Sequence, residues 1–142
     1  MTEVTFYTHA KEPLDVARRI AAKAYGQGLQ VMIYAPDATV AAAVDRLLWM
    51  TPPLGFVPHC SDDDALAGET PVLIGTRAER LRRADVMINL HTEQPPTFAR
   101  FQRLVEVVGE DAAAVEAGRA RYRFYKARGY ALNTHDLRQG AG

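Results

Sequence analysis

The stretch from Gly118 to Asn133 combines basic and aromatic residues in a pattern suited to binding an anion. Arg119, Tyr122, Arg123 and Lys126 fall at i, i+3, i+4 and i+7, a spacing that brings all four to one face of a helix. From Arg119 to Arg138 there are six basic residues, Arg119, Arg121, Arg123, Lys126, Arg128 and Arg138, against one acid, Asp136. The chain as a whole has a formal net charge of zero, so this excess is local. Guanidinium and ammonium groups make charge-assisted hydrogen bonds to carboxylate or phosphate, and tyrosine rings add apolar contact area. The same pattern also suits a half-exposed helix face, on which long stems pack while charged heads stay in water and Val115, Tyr122 and Tyr125 form the core-facing stripe. Spacing alone leaves both readings open.

Other residues offer less. His59-Cys60 has the composition of a thiol nucleophile or half a metal site, but a metal needs three or four ligands, and His9, His91 and His135 are isolated in sequence. His91 follows an apolar run, where ligands often sit in α/β sheets, and Asp85 precedes the same run as a turn residue at the strand entry. The first strand-to-helix turn, Tyr7 to Pro13, lacks glycine, so backbone N–H groups cannot close around a phosphate as they do in dinucleotide and P-loop sites. No catalytic set, metal or cofactor is expected. Two alternatives remain beside protein binding: a small hydrolase or nucleotide-binding enzyme using His91 and Cys60 at the carboxyl edge of the sheet, and direct binding of single-stranded DNA by the Arg and Tyr face.

The elements that would position these residues follow from periodicity. Val4 to Tyr7 is a short β-branched and aromatic strand. Pro13 opens a helix to about Gln27, with Leu14, Ala17, Ile20, Ala21 and Ala24 at helical spacing and Gly28 beyond its end. Gln30 to Tyr34 is a second strand, and Asp37 is the N-cap of a helix from Ala38 to about Leu48. Trp49 to His59 holds three prolines and a glycine, which exclude regular structure, together with the apolar residues Trp49, Met50, Leu54 and Phe56. Such a loop either tucks these side chains beneath itself or presents them to a partner. Ser61 to Asp64 is an acidic turn. Pro71 to Ile74 and Val86 to Leu90 are buried strands, Pro95 opens a helix whose apolar stripe is Phe98, Phe101, Leu104, Val105 and Val108, and the last helix runs from about Asp111 to Arg128, stopped by Gly129. Alternating strands and helices predict one α/β domain over 1–142, a three-layer Rossmann-like arrangement with a mostly parallel sheet and helices on both faces.

At 142 residues with 48% apolar and 24% charged residues, the composition is that of an ordinary globular domain. The lone cysteine, Cys60, excludes an internal disulfide, and neither a secretory signal nor a membrane span is visible, so a cytoplasmic protein is expected. Zero net charge argues against a surface that grips nucleic acid as a whole.

Several segments together resemble the chi subunit of bacterial DNA polymerase III holoenzyme: Val4-Thr5-Phe6-Tyr7, Leu48-Trp49 followed by Phe56-Val57-Pro58-His59, Pro71-Val72, Asp85 to Leu90, and Arg121-Tyr122 through Gly129 to Thr134. The order and spacing hold over nearly the whole chain. The resemblance implies a non-catalytic accessory protein of the replicative polymerase, associated with the clamp loader through the small psi subunit. It also implies docking on the acidic C-terminal tail of the single-stranded-DNA-binding protein (SSB), which ends in Pro-Phe with a free carboxylate, so that single-stranded DNA is reached indirectly through SSB. By position, Arg119, Tyr122 and Arg123 match the family's tail-binding residues, with Val108 as a pocket wall. Where well-studied members carry a further lysine, this chain has Val115; Arg121 is the residue expected to compensate. Trp49 and Phe56 match residues that contact psi or an alternative helicase partner, with Met50 and Leu54 beside them, which favours presentation of that apolar loop.

Overall fold

A computed structural model of the chain describes residues 2–50, 57–61, 64, 70–77 and 85–139. Its strands are β1 (Glu3–Ala10), β2 (Val31–Tyr34), β3 (His59–Ser61), β4 (Val72–Gly75), β5 (Val86–Asn89), β6 (Arg103–Gly109) and β7 (Ala131–Asp136). Its helices are α1 (Pro13–Gly26), α2 (Ala38–Met50) and α3 (Ala112–Ala127), with short 3-10 turns at Phe98–Arg100 and Leu137–Gln139. Among the described residues the strands form one sheet in the order β3-β4-β2-β5-β6-β1-β7, and every pairing is parallel. Parallel neighbours require crossovers, and strand alternation sorts the side chains to two faces. Val31, Ile33, Val86, Ile88, Val105 and Val107 pack beneath α1 and α2, whereas Met32, Tyr34, Met87, Leu104 and Val108 pack on the opposite face with Tyr125 of α3. The three-layer α/β fold expected from periodicity is therefore the fold observed.

Local signals hold where the backbone requires them. Pro13 starts α1, the Asp37 carboxylate accepts from the Val40 N–H at 2.9 Å, and the Asp111 carboxylate accepts from the Ala114 N–H at 2.8 Å. Gly129 stands at φ +80°, and the Tyr130 N–H returns to the Tyr125 carbonyl at 3.2 Å, the left-handed closure that ends α3. Asp85 acts at a strand entry, where its carboxylate accepts from the Gln30 N–H at 2.8 Å.

The segment from 98 to 108 departs from expectation. It is not a helix: one 3-10 turn leads into β6, a central strand paired with β5 and β1. Apolar residues at 98, 101, 104, 105 and 108 match a helical period by coincidence. A strand buried on both faces shows no alternation that would reveal it, while Val105, Val107 and Val108 favour extended backbone. Trp49 and Met50 belong to the end of α2 rather than to an irregular loop, and His59 begins β3. The C-terminal strand β7, at one sheet edge, has no counterpart in the sequence reading. Leu54, Phe56, Asp62 and Asp63 lie outside the described residues. No helix among the described residues is long and apolar enough to cross a membrane.

Candidate functional site

The residues of α3 that line a cavity are Val115, Gly118, Arg119 and Tyr122, again at i, i+3, i+4 and i+7. Opposite them stand Phe6, Thr8 and His9 of β1, Val108 of β6 and Thr134 of β7, enclosing about 270 Å³. The helix approaches the sheet closely here because position 118 has no side chain: a Cβ would lie 2.9 Å from Val108 Cγ2. The floor is apolar, the Tyr122 ring tilts against Phe6 at 5.4 Å between centroids, and Tyr122 remains 36% exposed. Arg119 stands on the rim. Such a cavity accepts one apolar side chain while offering a cation to an adjacent negative charge.

Beneath the helix lies a charge network that fixes its setting. Glu106 in β6 is completely buried, and its Oε1 accepts from Arg121 Nε and from Asn89 Nδ2, both at 2.9 Å. Its Oε2 accepts from the Tyr125 hydroxyl. Arg121 Nη1 donates to the Thr92 carbonyl at 2.7 Å, and Asn89 Nδ2 also reaches the Glu93 carbonyl at 3.0 Å. Burial raises the Glu106 carboxyl above its ordinary range, while the Arg121 guanidinium and the three hydrogen bonds oppose that shift. Burial and the adjoining Glu106 charge raise the Tyr125 hydroxyl far above its ordinary value, so it stays a donor.

At the far edge of the sheet the end of α2 leaves Trp49 57% and Met50 68% exposed. The Trp49 and His59 rings are tilted against each other with centroids 5.0 Å apart, and His59 is itself held, with Nδ1 2.7 Å from the Val57 carbonyl and Nε2 3.2 Å from Asp45 Oδ1. Thr39, Ala42, Ala43, Arg46 and Leu47 line a shallow depression along the same helix. Among the described residues no group of three or more His, Cys, Asp or Glu side chains is placed to hold a metal ion.

The family profile described as DNA polymerase III chi subunit, HolC, matches residues 1–133. The chain belongs to the DNA polymerase III chi subunit family. It is similar to the DNA polymerase III subunit chi of Pseudomonas aeruginosa, 37% identical over 142 residues covering 96% of this chain and 98% of that protein. The subunit chi of Haemophilus influenzae is 31% identical over 124 residues, covering 87% and 86%. The C-terminal domain of the DEAD-box protein Dbp5 superposes with a TM-score of 0.69 at 12% identity, covering 96% of this chain and 91% of that one, a likeness of fold alone. Membership of the chi family makes this a protein of DNA replication.

Within this chi-family chain, α3 brings Arg119, Tyr122 and Val108 to one cavity, and Val115 extends its apolar wall. Arg123 is exposed one turn beyond Arg119 and lies outside the lining. Arg121 is a correction: it is 4% exposed and bound to Glu106, so it cannot stand in at the surface for a missing lysine. The buried stripe of α3 is Gly118, Arg121 and Tyr125, rotated from the Val115, Tyr122 and Tyr125 stripe that apolarity suggests. Arginine is seldom buried unless paired, so only the acid inside an otherwise apolar strand, Glu106, could have pointed to its partner. His9, a cavity residue, was not singled out. Of the residues that the resemblance matches to a psi or helicase contact, Trp49 and Met50 are exposed at the end of α2.

Proposed function

We propose that this chi-family protein is a two-sided adaptor without catalysis of its own. The cavity under α3 takes the acidic C-terminal tail of SSB, and the end of α2 holds a polymerase-associated partner, the psi subunit of the clamp loader or a helicase in its place. The observation that carries the reading is the cavity itself: an apolar floor of Phe6 and Val108 sized for one side chain, with Arg119 at its mouth and Arg123 a turn away. A tail ending in Phe with a free carboxylate, preceded by acids, matches apolar and cationic elements in that arrangement. The exposed Trp49 and Met50 support the second surface, since large rings and thioethers left in water commonly anchor protein partners. Joining the two partners raises the effective concentration of the polymerase at SSB-coated template, so each contact can be weak and exchange quickly.

Fluorescence anisotropy tests the tail side. A labelled peptide ending in Asp-Asp-Ile-Pro-Phe should bind saturably with a Kd of micromolar order, as expected of an interface well under about 1,200 Å². Removal of the final Phe, or Arg119→Ala, should weaken it by about tenfold or more. Equal binding of the full and truncated peptides would refute the cavity as the receptor. A single-stranded oligonucleotide titrated in parallel should show no comparable binding in the absence of SSB.

A further inference from the structure

We infer that His9 is a second anion-binding residue of the cavity under α3, facing Arg119, and that its protonated ring takes a carboxylate of the docked acidic peptide. This rests on the tail-docking reading and adds to it a residue and a dependence on pH.

Three observations converge on His9. It lines the cavity together with Arg119, Tyr122 and Val108, and it also lines an adjoining crevice of about 220 Å³. That crevice opens at the carboxyl ends of β1 and β6, neighbours whose following helices, α1 and α3, cover opposite faces of the sheet; open α/β sheets bind ligands at such a point. The backbone is distorted there: His9 has φ +60°, the sole non-glycine residue with positive φ among those described, and the β1–β6 register shifts between Tyr7 and Ala10. A bulge of this kind re-aims a side chain, and a strained non-glycine residue at a ligand crevice is a common mark of a binding site. Finally, the ring is oriented. Nδ1 is buried 3.1 Å from Asp136 Oδ1, at ion-pair distance but outside hydrogen-bond geometry, with 33% of the side chain still exposed. Asp136 is itself fixed by the Arg138 backbone N–H at 2.9 Å and by Arg138 Nη2 at 2.7 Å. With Nδ1 turned to Asp136, Nε2 is the nitrogen left for a ligand.

The charged groups around His9 come from every neighbouring element: Arg119 from α3, Glu110 from the turn before it, Asp136 and Arg138 from the end of β7, Lys11 and Glu12 from the β1–α1 turn, and Asp15 and Arg19 from α1. Asp136 is held below the ordinary carboxylate range by its bonds to Arg138, so it keeps its charge throughout the interval in which histidines titrate.

Anisotropy of the same Asp-Asp-Ile-Pro-Phe peptide at constant ionic strength, from about pH 8 to about pH 6, tests the assignment. Wild-type protein should bind about threefold to tenfold tighter at the acid end, the size of one partly solvated charge contact. His9→Asn should abolish that slope, because Asn accepts the left-handed backbone but gains no charge. Arg119→Ala should weaken binding at every pH and keep the slope. A flat wild-type profile, or a slope that His9→Asn retains, overturns the role of His9 and leaves tail docking standing. No wild-type binding at any pH overturns both.

Discussion

The middle of α3 and the end of α2 both leave a large aromatic residue at the surface, yet the molecule holds them in opposite ways. Tyr122 lies over a cavity, braced by Phe6, on a helix whose setting is fixed from below by Arg121 and Tyr125 bound to Glu106. Trp49 projects from the last turn of its helix, 57% exposed, with its ring tilted against His59. The first is a concave pocket organised in advance, with an apolar floor and a cation beside it. The second is a convex apolar projection, whose burial contributes only when a partner supplies the other wall.

The largest test of this contrast is Arg121→Ala, which leaves the Glu106 carboxylate buried without its cation and should cost about 3 to 5 kcal/mol in urea unfolding. Arg121→Leu combined with Glu106→Leu should recover only part of that loss, because an apolar pair removes both desolvation penalties but leaves the buried Tyr125 hydroxyl without its acceptor. Trp49→Ala should stay within about 0.5 kcal/mol of wild type, as a surface change does. Comparable losses in the two single variants would erase the distinction. Gly118→Ala comes next. Its Cβ would press on Val108 and cost about 1 to 3 kcal/mol, partly offset by the helix preference of Ala, and peptide affinity should fall as the cavity narrows.

Smaller effects sharpen the same picture. The Arg128 guanidinium lies 3.7 Å from the centre of the Phe124 ring, and Arg128→Ala should lower stability by about 0.5 to 1 kcal/mol in thermal melts without altering peptide binding. The smallest concerns Asp136, whose carboxyl is held down by Arg138. An acid whose pKa is lowered on folding stabilises the fold above its unfolded value and loses that contribution as pH falls through the folded one. The stability difference between wild type and Asp136→Asn should therefore be present at neutral pH and shrink on acidification below about pH 4. A difference that grows as pH falls below about 4 would contradict the Asp136–Arg138 pair.

Much of the scaffold was legible because local chemistry dictated it: the proline at the start of α1, the aspartate capping α2 and the glycine after α3 each fit a backbone requirement. Arg119 and Tyr122 were legible as a pair because helical period and family resemblance agreed, whereas Val108 came from the resemblance alone, since periodicity placed it in a helix that is β6. What was hidden was tertiary. β6 is buried on both faces and so lacks the alternation that marks a strand, and Arg121 looks like any surface arginine until Glu106 is seen beneath it. His9 owes its position to a bulge that pairing with β6 creates, and no property of residues 7 to 10 announces it.

The strand order has a consequence for how the two ends influence each other. Thr134, at the cavity, belongs to β7, and His59, beneath Trp49, belongs to β3, the opposite edges of the sheet. Six interstrand steps of about 4.8 Å put them roughly 29 Å apart. That exceeds three Debye lengths of about 8 Å at physiological ionic strength. Over that distance the electrolyte around the molecule screens a charge at one edge from the other, so the two ends are electrostatically independent through solvent and the sheet between them serves as a spacer.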